Sequence, residues 1–124
     1  MKPIKLKIKT KTQQYPIIIG SNIVSNISRI LKKNSINFKK CLLIVDSNIP
    51  KKIISKTKKS LNDKDLFIQF FKSNEINKNI NSVNKILDIL LAKNFTRNDC
   101  LISIGGGITG DVSGFAASIF KRGL

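Results

Sequence analysis

The sequence predicts an α/β fold: an open, mostly parallel sheet with an N-terminal β-hairpin. Three observations lead there. Past residue 40, short apolar runs alternate with segments of helical periodicity, the order expected of parallel strands joined by crossover helices. One run, CLLIVD (41–46), is continuously apolar up to its last residue, as a strand covered on both faces should be. The last run, CLISI (100–104), passes directly into three glycines, which suits a strand-to-helix turn where something approaches the backbone closely.

The elements follow in order. IKLKIK (4–9) alternates apolar and charged residues with the period of a half-buried strand. QQYPIIIG (13–20) is a second extended run, with Pro16 excluding helix and Gly20 closing it. The two are expected to pair as an antiparallel hairpin through the polar link around Lys11 and Thr12. Ser21 is a candidate N-cap for a helix whose Ile23, Ile27, Ile30 and Leu31 form one stripe. After CLLIVD a helix carries Ile49, Ile53, Ile54 and Leu61, and DLFIQFF (65–71) is the next strand. A helix with Ile80, Val83, Leu87, Leu90 and Leu91 on one face leads to CLISI, and DVSGFAASIFKRG reads as the final helix.

Composition bounds the function. The 124 residues suit one domain, with no low-complexity linker to divide them. No apolar run approaches the roughly 20 residues of a membrane span, and MKPIKLKIKTK lacks the apolar core of a secretory signal, so a cytoplasmic location is expected. Cys41 and Cys100 each open an apolar run and read as buried free thiols. With no histidine and two cysteines, the chain is not expected to build a zinc site by itself. The net charge of +16 raises nucleic-acid binding, but only Arg29, Arg97 and Arg122 are arginines. The lysines are dispersed, with few aromatics among them, so neither a nucleic-acid nor a membrane partner is expected.

In open parallel sheets, ligands sit outside the carboxyl ends of the strands. Of seven acidic residues, Asp46, Glu75 and Asp111 fall at or just after such ends. Gly105, Gly106 and Gly107 can take positive φ and let their amides reach a phosphate, towards which the next helix also points its N-terminal amides and dipole. The alternative is a tight turn without a ligand. Gly110 and Gly114 are expected to permit close packing of the helix on the sheet.

GGGITGDVSGFAASIFKRG (105–123) resembles the GGGxxGDxxGFxAxxxxRG signature of the 3-dehydroquinate synthases. YPIIIG is similar to the early YxIxIG strand of that family, LLIVDSNI to its nucleotide-side strand end, and NEINKNINSVNKIL to its GExxKxxxxxxxIL segment. Asn74, Asn77 and Lys121 depart from the pattern.

The resemblance implies a Rossmann-like NAD-binding half of an enzyme of the sugar-phosphate cyclase family. Such enzymes use NAD and a divalent metal, zinc or cobalt, to convert the sugar phosphate DAHP into 3-dehydroquinate with release of phosphate, and are homodimeric. Carried over by position, Asp46 and Asn48 would hold the adenosine side and Glu75 and Lys78 the nucleotide. Gly106, Gly107, Ile108, Thr109, Gly110 and Asp111 would line the pyrophosphate and nicotinamide side, and Arg122 would meet the substrate's phosphate or carboxylate.

Each residue also has a plainer reading. Asp46 can close an Asx turn and cap the next helix. Glu75 and Lys78 can be solvent-facing, Asp111 can be a first-turn helix acid, and Arg122 can satisfy helix-terminal carbonyls. The family's metal ligands, a glutamate and two histidines, lie in a C-terminal helical domain past the KRGL at which this sequence stops. The 124-residue chain is therefore expected to be a truncated NAD-binding domain without synthase activity of its own.

Overall fold

The computed structural model describes residues 3–124. β1 (Ile4–Lys9) and β2 (Gln14–Ile19) pair antiparallel, joined at the turn by Thr10 N–H donating to Gln13 O at 2.7 Å. β3 (Lys40–Asp46), β4 (Asp65–Phe71) and β5 (Cys100–Ile104) form a separate parallel sheet in the order β4-β3-β5. The hairpin and the parallel sheet thus agree with the sequence, and the fold is α/β. Among the described residues, no helix is long and apolar enough to cross a membrane.

β3 organises the core. Its side chains alternate faces, and residues 41 to 45 are all fully buried because the strand lies between two neighbours and two helical layers. Leu42 and Ile44 join Val83, Ile86 and Leu90 of α3 (Ile80–Ala92), Val112 and Ala116 of α4 (Gly107–Ile119), and Phe95 and Phe120. Cys41, Leu43 and Val45 face the other way, with Phe38, Leu61, Ile27 and Leu31 of α1 (Ile27–Lys33) and Ile54 of α2 (Lys51–Ser60). The result is a three-layer sandwich.

Several elements differ from the sequence reading. The segment after Gly20 begins as a short 3-10 turn, Ile23–Asn26, because Asn22 takes a left-handed conformation (φ 58°) and Ser21 does not cap it. The hairpin is less covered than its alternation suggests: Ile4, Leu6, Tyr15, Ile17 and Ile19 are all exposed, since β1 and β2 pair only with each other. The inward face of α3 is Val83, Ile86 and Leu90, while Ile80 and Leu91 are exposed; a stripe at i, i+3 and i+7 meets the sheet, and Leu91 lies about 100° around the axis from Leu90. The last helix starts at Gly107, four residues before Asp111, with Gly106 as N-cap.

The thiols are free as expected, Cys41 buried and Cys100 half-buried. Asp99 anchors the amino-terminal edge of the sheet by accepting from Lys40 N–H at 3.1 Å and Thr96 N–H at 2.9 Å. Partial burial pushes its carboxyl up, but these hydrogen bonds and the Lys40 charge outweigh that and hold it below the ordinary value.

Candidate functional site

The strand order fixes where a site can form. From β3 the chain moves to β4 on one side, then crosses to β5 on the other, so the connections diverge between β3 and β5. At such a divergence the carboxyl ends leave a crevice. Here it is bordered by Asp46, which ends β3, and by the glycines that follow β5.

Gly105 makes the turn. Its φ is +156°, and a Cβ there would lie 2.8 Å from Thr109 Oγ1 and 2.9 Å from the Asp46 Cβ. Only glycine lets the turn fit between these two side chains. Of the three consecutive glycines, Gly105 alone has positive φ; Gly106 is extended at φ −87° and ψ −162°. A Cβ on Gly106, Gly107, Gly110 or Gly114 would meet nothing within 4 Å. Gly110 and Gly114 therefore do not serve close packing on the sheet. The inward residues of α4 are Thr109, Val112, Ser113 and Ala116, and the glycines lie on its open side.

The first backbone bond of α4 runs from Gly110 N–H to Gly106 O at 3.1 Å. The amides of Gly107, Ile108 and Thr109 precede it and have no acceptor within the helix, so they form a donor set at the positive end of a 13-residue helix. Thr109 and Ser113 are buried on its underside, and neither hydroxyl has a hydrogen-bond partner.

Asp46 accepts from Asn48 N–H at 3.0 Å, forming the Asx turn anticipated from the sequence. It does not cap α2, whose N-cap is Pro50. The adjacent Ser47 N–H donates to Phe71 O at 2.9 Å, tying the ends of β3 and β4 together.

Glu75 opens a 3-10 turn, Glu75–Asn77, capped by the Asn74 side chain, which accepts from Asn77 N–H at 2.8 Å. Lys78 follows and reaches Asp111 Oδ2 at 3.1 Å. Asp111, then Glu75, hold the Lys78 ammonium above the ordinary lysine value. Because α4 begins at Gly107, Asp111 belongs to the second turn, where the helix dipole has weakened, and its structural partner is Lys78. The pair is exposed and contributes little to stability. It does fix where opposite charges stand beside the mouth of α4.

Between the starts of α3 and α4 lies a cavity of ≈ 410 Å³, lined by Lys78, Asp111, Ile80, Val83, Val112 and Phe115. Ile80 and Phe115 were not named as site residues by sequence reasoning; apolar positions on helices read as core until the packing shows them exposed. Arg122 stands apart. It follows the carboxyl end of α4, a helix roughly 20 Å long, so the structure does not bring it to the glycine turn. Its φ is +70° and Lys121 beside it has φ +45°, so the helix is broken there; Lys121 Nζ donates to Phe95 O at 3.0 Å.

Comparison with known proteins bears on this arrangement. Residues 68–124 match the family model described as 3-dehydroquinate synthase N-terminal. A 3-dehydroquinate synthase of Pelagibacter ubique is 61% identical over 121 residues, covering 98% of this chain and 33% of that protein. One of Staphylococcus carnosus is 32% identical, with 98% of this chain and 34% of the relative covered. The chain thus spans about a third of the length of the curated relatives it matches. A crystal structure of 2-deoxy-scyllo-inosose synthase complexed with carbaglucose-6-phosphate, NAD+ and Co2+ superposes with a TM-score of 0.85 at 21% identity, over 98% of this chain and 33% of that one. That likeness is one of fold. The sequence matches run through the glycine turn, both of its flanking elements and the segment carrying Glu75 and Lys78, and along them the chain is similar to the N-terminal part of the 3-dehydroquinate synthases.

Proposed function

We propose that the chain is the NAD-binding part of a 3-dehydroquinate synthase, contributing to conversion of the sugar phosphate DAHP into 3-dehydroquinate with loss of phosphate. The observation that carries this reading is the Gly105 turn, pressed between Asp46 and Thr109, with open backbone at Gly106, Gly107 and Gly110 and unpaired amides directly after it. These residues fit a dinucleotide: a Cβ on the open glycines would occupy the space above the donors, and the donor set is suited to an anion.

When bound, NAD supplies a reversible hydride acceptor. The protein's part is to hold and orient it. The Gly107, Ile108 and Thr109 amides donate to the diphosphate, and Gly106 and Gly110 keep the approach clear. Asp46 retains acceptor capacity for ribose hydroxyls and, as an anion, disfavours a 2′-phosphate. Asn48 flanks it on the adenosine side. Lys78 neutralises phosphate charge, with Glu75 and Asp111 fixing its position. Arg122 is assigned to the substrate's phosphate or carboxylate, at a distance from the diphosphate site.

The sequence has no histidine, and no group of three His, Cys, Asp or Glu side chains that could hold a metal ion occurs among the described residues. The zinc or cobalt of the whole enzyme belongs to the length that this chain does not span. We place the protein in the cytoplasm, as a homodimer without nucleic-acid partners. The dispersal of the lysines supports the last point.

Calorimetric titration of the folded chain tests the reading. NAD+ is expected to bind with a Kd at least roughly ten-fold below that of NADP+, and Asp46→Asn is expected to narrow that gap. Gly107→Val, whose side chain would stand over the donors, should weaken NAD+ binding while circular dichroism stays unchanged. Absence of NAD+ uptake by chain shown to be folded, or equal affinity of the Gly107 variant, would overturn the assignment.

A further inference from the structure

Away from the glycine turn, at the amino-terminal ends of the strands, the sheet holds a pair of thiols. Cys41 of β3 and Cys100 of β5 are register partners on adjacent parallel strands. Their side chains share a face, since both pack in the cluster formed by Phe38, Leu43, Val45 and Leu61. Adjacent strands lie about 4.8 Å apart, within the Cα separation of about 4.4–6.8 Å that a disulfide spans.

The two sulfurs differ in access. Cys41 has no exposed surface. Cys100 is half-buried and borders a cavity of ≈ 420 Å³ that is also lined by Phe38, Arg97 and Asp99. A small oxidant can therefore reach one thiol while the other waits behind it. The electrostatics run the same way. The direct interaction of the sulfurs pushes Cys41 well up, with burial adding to it. The same interaction lowers Cys100, against the opposing effects of burial and the neighbouring Asp99 carboxylate. Of the two sulfurs, the reachable one is the more readily deprotonated.

We propose that Cys100 and Cys41 form a peroxide-responsive dithiol, Cys100 being the sulfur oxidised first and Cys41 the one that resolves it into an intrachain disulfide. The Cys100 thiolate attacks one oxygen of hydrogen peroxide; the O–O bond breaks, the departing hydroxide takes a proton and leaves as water, and Cys100 becomes a sulfenic acid. Cys41 sulfur then attacks Cys100 sulfur, the S–O bond breaks, and the hydroxyl leaves as water with the Cys41 proton. Two thiols lose two hydrogens, and one peroxide becomes two waters. The new bond would join β3 to β5, the strands that carry Asp46 and the glycine turn at their other ends.

The test is to titrate the 124-residue chain with hydrogen peroxide, block the remaining thiols with an alkylating reagent and map peptides by mass spectrometry. Both thiols should disappear together, giving one species lighter by two hydrogens in which the Cys41 and Cys100 peptides are joined, and dithiothreitol should restore it. Cys41→Ala should halt at a Cys100 sulfenic acid trapped by dimedone. In Cys100→Ala, oxidation of Cys41 should slow by roughly ten-fold or more, as expected when the reactive thiolate is removed. The wild-type readout stands even if a variant misfolds: paired loss should be faster in native chain than in chain unfolded by urea. Independent oxidation of the two sulfurs, intermolecular disulfides only, or equal pairing rates in urea would overturn the proposal.

Discussion

Gly105 and Gly110 lie five residues apart and answer to different physics. Gly105 combines a positive φ with contacts closer than any Cβ tolerates, so Gly105→Ala should cost about 2–4 kcal/mol, read from urea denaturation. Gly110 is helical and faces open space, so Gly110→Ala should stabilise the chain by about 0.5–1 kcal/mol. Equal effects at both positions would contradict the described turn. The sequence reading assigns Gly105 to close backbone approach and Gly110 to helix packing, and does not locate the strain, because strain depends on which side chains crowd each position. Asp46 comes from another strand, and its Cβ is what closes the space at Gly105. Asp111 shows the same limit: its partner Lys78 is 33 positions away and becomes a neighbour only once α3 and α4 pack side by side.

At the scale of elements, apolar periodicity identified α3 but misplaced part of its buried face, naming the exposed Ile80 and Leu91 and omitting the buried Ile86. Ile86 is 3% exposed, whereas Leu91 is 58% exposed, although both are large aliphatics on one helix. Ile86→Ala should therefore cost about 2–5 kcal/mol and leave a cavity against Leu42 and Ile44. Leu91→Ala should remain within about 0.5 kcal/mol of the parent. Thermal melts of the two variants check the contrast, and a large loss at Leu91 would place the helix in another rotation. Periodicity reports which residues can share a face; the crossing of the helix over the sheet selects those that do. The start of α4 was likewise obscured, because Gly106 and Gly107 carry no helix propensity to announce it, and backbone geometry places the N-cap there.

For the whole molecule, the charge balance matters more than any single pair. With 23 basic and seven acidic residues, and ion pairs at Lys78–Asp111 and Lys64–Asp63 among the described residues, the folded chain repels itself. Raising salt from about 0.01 M to about 0.15 M shortens the screening length from about 30 Å to about 8 Å and should raise Tm by several degrees. A fall in Tm over that range would show attractive pairs to dominate. The sequence by itself determined the order of strands and helices, the burial of β3 on both faces and the family resemblance, because alternation, continuous apolar runs and motif spacing are local along the chain. The tertiary structure decided which strands are neighbours, which glycine is constrained, where Lys78 finds Asp111 and why Arg122 stands apart. Each of these is a distance between residues remote in sequence, and packing across the sheet sets such distances.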